Sequence, residues 1–74
     1  MFITVTMELK NKRFDIKIDN LQTIMSSVEI LKETGKYTGN IACFYRSKMQ
    51  CLIVSGYQTF EDAGIYTGDV LIAV

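Results

Sequence analysis

The chain has 74 residues, 49% of them hydrophobic, with eight basic and eight acidic side chains and no histidine, proline or tryptophan. That length makes one domain, residues 1–74, with an economical core that buries about 60% of the unfolded surface. The composition excludes a disordered chain. All eight basic residues lie between Lys10 and Lys48, so residues 1–48, with five acids, carry +3, while Glu61, Asp62 and Asp69 give the rest −3. This asymmetry is too small for the basic stripe of a nucleic-acid binder.

Residues Phe2 to Leu9 alternate strictly. Ile3, Val5, Met7 and Leu9 share one face; Thr4, Thr6 and Glu8 share the other. This is a half-buried strand. Lys10-Asn11-Lys12-Arg13 reads as a polar turn, and Phe14, Ile16 and Ile18 alternate with Asp15, Lys17 and Asp19 in a second strand. The short connection makes an antiparallel hairpin. The period then changes. Thr23 is an N-cap residue, Ile24, Val28 and Leu31 follow helical spacing, and Gly35 suits the position after the C-cap. The helix is placed at residues 23–34, with Ser26 and Ser27 off its apolar side.

After a loop at residues 36–40, Ile41 to Tyr45 form a third strand, Arg46-Ser47-Lys48 a charged hairpin tip, and Cys51 to Val54 a short fourth strand. Cys43 and Cys51 read as small buried hydrophobes, reduced and unpaired. Thr59 can cap one helical turn, with Asp62 as its capping-box partner. Gly64 suits a left-handed residue that turns Ile65 inward. Gly68-Asp69 is the last turn, and Val70 to Val74 the last strand, lying beside the first at the centre of the sheet. The predicted core is Ile3, Val5, Ile24, Val28, Leu31, Ile65 and Leu71.

The order β-β-α-β-β-turn-β resembles ubiquitin-like proteins: an α+β fold, the β-grasp, with a mixed sheet of four to five strands and one main helix packed on one face. The nearest resemblance is to the YukD/EsaB family, small ubiquitin-like proteins of bacterial type VII (ESX-like, WXG100) secretion systems. Residues 3–10 (Ile-Thr-Val-Thr-Met-Glu-Leu-Lys), Phe14-Asp15-Ile16, Ser55-Gly56, Ala63-Gly64-Ile65 and Gly68-Asp69-Val70-Leu71 carry it. The stretch from Phe44 to Gln50 departs from it, being longer and more apolar. The resemblance implies a cytoplasmic adaptor or regulator that binds a protein of the secretion machinery. Two alternatives are a modifier or sulfur carrier handled by an adenylating enzyme, and a general β-grasp interaction domain.

No Ser-His or Cys-His arrangement, metal-ligand spacing or phosphate loop occurs, so the expectation is no catalytic site, no metal and no cofactor. No Gly-Gly stands before Ala73-Val74, so conjugation is not expected. No cationic leader precedes an apolar run, and no run approaches the ~20 residues of a membrane span. Protein binding is therefore expected to fall on the open face of the sheet. With Leu71 and Ala73 facing the helix, Val70, Ile72 and Val74 face outward. Thr4 and Thr6 flank them on one side, and Ala42 or Phe44 on the other. The Lys10-Lys12-Arg13 tip is the competing surface.

Overall fold

The computed structural model describes all 74 residues, Met1 to Val74. Strands β1 (Phe2–Leu9) and β2 (Lys12–Asp19) pair antiparallel from Phe2–Asp19 to Leu9–Lys12. Lys10 and Asn11 alone make the turn, both left-handed at φ 48° and 65°. Such turns match the twist of the strands they join. Lys12 and Arg13, expected in the turn, are therefore strand residues. Ile3, Val5, Met7 and Leu9 are all buried, as their alternation requires.

Helix α1 (Ile24–Glu33) starts at Thr23, whose Oγ1 accepts the Ser26 amide at 3.1 Å. It ends in paired amide bonds: Gly35 N–H to the Lys32 carbonyl and Lys36 N–H to the Leu31 carbonyl. These satisfy carbonyls that the helix leaves free. Ile24, Val28 and Leu31 face the sheet. Ser27 joins them, contrary to expectation. It is three residues from Ile24 and four from Leu31, and so lies in the same stripe. Its hydroxyl donates to the Ile24 carbonyl at 2.6 Å, which makes its burial tolerable.

Strands β3 (Phe44–Ser47) and β4 (Leu52–Ser55) form the second hairpin, and β5 (Val70–Ala73) completes the sheet. Here the boundaries differ from the expected ones. Ile41 and Ala42 do not pair but pack against the core from the loop. Arg46 and Ser47 are strand residues, and the turn spans residues 48–51, closed by Cys51 at φ 56°. Both cysteines are consequently exposed and unpaired, not buried: Cys43 precedes β3 and Cys51 sits in the turn.

The strand order is β2-β1-β5-β3-β4, with β5 parallel to β1 and antiparallel to β3. Between β4 and β5, Thr59 Oγ1 accepts the Asp62 amide at 3.0 Å. The Thr59 backbone forms a bridge with Thr23. Gly64, at φ 72°, takes a conformation that a side chain would strain. Phe60 and Ile65 on either side of it are buried. The core gathers all seven predicted residues, and adds Met7, Leu9, Ile18, Tyr37, Tyr45, Val54, Phe60 and Ala63.

Leu71 is completely buried in the central strand. Leu71→Ala should lower stability by about 2–5 kcal/mol in urea unfolding, from lost transfer energy and the cavity left behind. A loss below ~1 kcal/mol would remove Leu71 from the core and reverse the facing of β5.

Candidate docking face of the sheet

The helix covers one face of the sheet, and strand registers determine what the other presents. Glu8 pairs with both Arg13 and Ile72, Ile72 with Arg46, and Arg46 with Ile53. Arg13, Glu8, Ile72, Arg46 and Ile53 thus form one row across all five strands. The adjacent row runs Asp15, Thr6, Val70, and its pairing ends where the Lys48 amide donates to the Val70 carbonyl at 3.0 Å. On the other side of Ile72 lie Phe44 and Val74, joined by the Val74 amide and the Phe44 carbonyl at 3.1 Å.

Of the residues expected here, Val70 and Ile72 are half-buried between their neighbours, and Phe44 stands 54% exposed. Thr6 borders Val70, but its hydroxyl already donates to Asp15 Oδ1 at 2.6 Å. Thr4 shares the face but lies further along β1, opposite Lys17, beyond the end of β5. Ala42 packs against the core and does not belong to the face.

Arg13, Glu8, Arg46 and Ile53 extend the surface beyond the expected set. In β3, Tyr45 and Ser47 point inward, which leaves Phe44 and Arg46 on the open face. Ile53 is 57% exposed and brings a second apolar side chain to the row. Glu8 Oε2 is shielded from solvent without a hydrogen-bond partner. A shielded carboxylate oxygen without a donor costs stability.

The face is held in place by Asp69, which the sequence marks only as a turn residue. Asp69 is 1% exposed. Its Oδ2 accepts from Ser47 Oγ at 2.5 Å, and its Oδ1 from the amides of Met49 at 3.1 Å and Val70 at 2.7 Å. Ser47 Oγ in turn accepts the Gln50 amide at 3.2 Å. This network ties the start of β5 to the β3–β4 turn. Behind the face, Tyr45 is fully buried and its hydroxyl has no partner. Burial pushes its pKa up to about 12.

No family model matches the chain, and no curated protein does. Solved structures do. The ubiquitin-like domain of an Arabidopsis thaliana protein superposes at a TM-score of 0.74 with 16% identity, over 99% of this chain and 76% of that one. The chain has the ubiquitin-like β-grasp fold. The ubiquitin-like domain of Plasmodium falciparum Dsk2 matches at 0.65 with 18% identity, over the full length of both chains. The EccD5 ubiquitin-like domain from Mycobacterium xenopi matches at 0.60 with 13% identity, over 100% of this chain and 93% of that one. At these identities the likeness concerns the fold. No helix is long and apolar enough to cross a membrane.

Asp69→Ala should cost about 2–3 kcal/mol, because the buried Ser47 hydroxyl and the part-buried Met49 and Val70 amides lose their acceptor. Asp69→Asn should cost about 1 kcal/mol, since it keeps one acceptor oxygen and can donate to Ser47. Equal losses in the two variants, measured by denaturant melts, would show that the carboxylate does not organise the turn.

Proposed function

We propose that this chain is a protein-binding adaptor of a type VII secretion system, acting in the cytoplasm and docking through the open face of its sheet. The observation that carries the docking surface is the row Arg13-Glu8-Ile72-Arg46-Ile53. It has an apolar centre and two arginines within one continuous sheet surface. Buried apolar contacts and arginines supply much of the binding energy in protein interfaces. The flanking charges set orientation and association rate.

One line supports the secretion setting. The sequence resembles the YukD/EsaB proteins over its whole length. The partner would then be a component or regulator of that machine. The competing readings are a ubiquitin-like modifier handled by an adenylating enzyme and a general interaction domain of the same fold. Genes for WXG100 proteins and an FtsK-like ATPase beside the gene for this chain would favour the first reading over the last.

Ile72→Asp tests the surface. The position is half-buried on the open face and outside the core, so circular dichroism should show an intact fold. Affinity capture of the partner from source cells should weaken at least about tenfold, or ~1.4 kcal/mol. If Ile72→Asp unfolds the domain, the facing is wrong. Unchanged capture by Ile72→Asp, together with loss on changing Lys10 and Lys12 to Ser, would move the interface to the hairpin tip.

A further inference from the structure

The loop after the helix closes against the tip of the first hairpin. Tyr37 is buried, with its ring edge-on to Phe14 at a centroid distance of 6.3 Å. Its hydroxyl donates to the Asn40 carbonyl at 2.8 Å. This holds the segment from Lys36 to Gly39 beside Lys10 and Lys12. Gly39 is buried in the junction. A Cβ there would lie 2.6 Å from the Tyr37 ring and 2.9 Å from Lys10 Cε, so a larger residue would force the two segments apart. Between them lies a cleft of about 70 Å³ lined by Lys10, Lys12, Lys36, Tyr37, Thr38 and Gly39.

Three of the six lysines therefore meet at one cleft. None forms an ion pair, although the chain has eight acids; the one ion pair joins the N-terminus to Asp19. The Thr38 and Gly39 amides donate to no other group of the chain. The cleft thus combines concentrated positive charge with two lining residues whose N–H groups are uncommitted. Its volume corresponds to roughly two waters at about 30 Å³ each. That is far below the roughly 300–1,000 Å³ of pockets for organic ligands. A small anion fits, or a single anionic group of a larger molecule; a whole organic ligand would not be enclosed. Three ammonium groups, each a compact charge with three donors, favour an oxyanion with several charged oxygens over a single carboxylate.

We propose that this cleft binds a phosphate group, held by Lys10, Lys12 and Lys36 and by the Thr38 and Gly39 amides. The phosphate is either free, as inorganic phosphate or pyrophosphate, or carried on a phosphoserine side chain. The site is separate from the open sheet face, and its test does not depend on the secretion partner.

The experiment is a ¹H–¹⁵N NMR titration of the full chain with inorganic phosphate, pyrophosphate, a short phosphoserine peptide and acetate. At least one phosphate compound should give saturable shifts at residues 10–12 and 36–39, and acetate should not. Tighter binding of the peptide identifies a side-chain phosphate; tighter binding of phosphate or pyrophosphate identifies a free one. The triple variant Lys10→Gln, Lys12→Gln and Lys36→Gln should keep a dispersed spectrum and bind at least about tenfold more weakly, having lost its charge-assisted contacts. Lys32→Gln with Lys48→Gln should bind as the unmodified chain does. Shifts that never saturate, or that spread equally to Lys17, Lys32 and Lys48, would mean an adventitious ion only and overturn the proposal. Equal binding of acetate would overturn its phosphate selectivity.

Discussion

Everything in this fold depends on β5, a four-residue strand that holds two hairpins in one sheet. Without it, β1–β2 and β3–β4 share no backbone ladder. β5 pairs parallel on one side and antiparallel on the other, through three register pairs each. Its position is reinforced at its N-terminal end. The Thr6 amide donates to the Asp69 carbonyl, and the Gly68 amide to the Thr4 carbonyl, while the Asp69 side chain holds the β3–β4 turn. One residue thus contacts both hairpins, through its backbone on one side and its carboxylate on the other. These contacts join segments far apart in sequence, so their closure entropy must be met before they stabilise anything.

The same strand decides what the molecule presents outward. Side chains alternate with period two, so a slip of one residue would exchange Leu71 for Ile72. Such a slip would bring the Asp69 carboxylate out of its polar turn. The Asp69 network therefore specifies register as well as adding stability. With the register held, Ile72 sits between Glu8 and Arg46, and the two hairpins contribute to one continuous face. That face offers both apolar area and directional charge.

Local signals made much of the architecture legible. The alternation in β1, the Thr23 cap, the Ile24-Val28-Leu31 spacing and the Gly35 stop each act within a few residues. The turn ahead of Ile65 was likewise legible, because Thr59 and Gly64 have specific backbone roles. The second hairpin was not. Its residues from Ile41 onward are apolar without clear alternation, and its boundary depends on Ser47 meeting Asp69 at a separation of 22 residues. Once β3 moved, Cys43 and Cys51 moved to the surface with it. Val70, Ile72 and Phe44 could be assigned to the open face from parity alone. Glu8 was on the open face by the same parity, but its place in one row with Arg46 and Ile53 required knowledge of which strands pair and in what register. The lysine cleft required Tyr37 to fold its loop against the first hairpin, which no spacing within either segment reveals.

Native-state hydrogen exchange on the full chain tests the central claim most directly. If β5 holds the sheet together, the sheet-bonded amides of β5 should exchange only through global unfolding, with the same free energy as those of β1 and a matching denaturant dependence. Exchange of the β5 amides through a low-energy local opening, while β1, β2 and the helix stay protected, would contradict the account. It would make the first hairpin and helix a stable unit to which the rest of the sheet is only loosely attached.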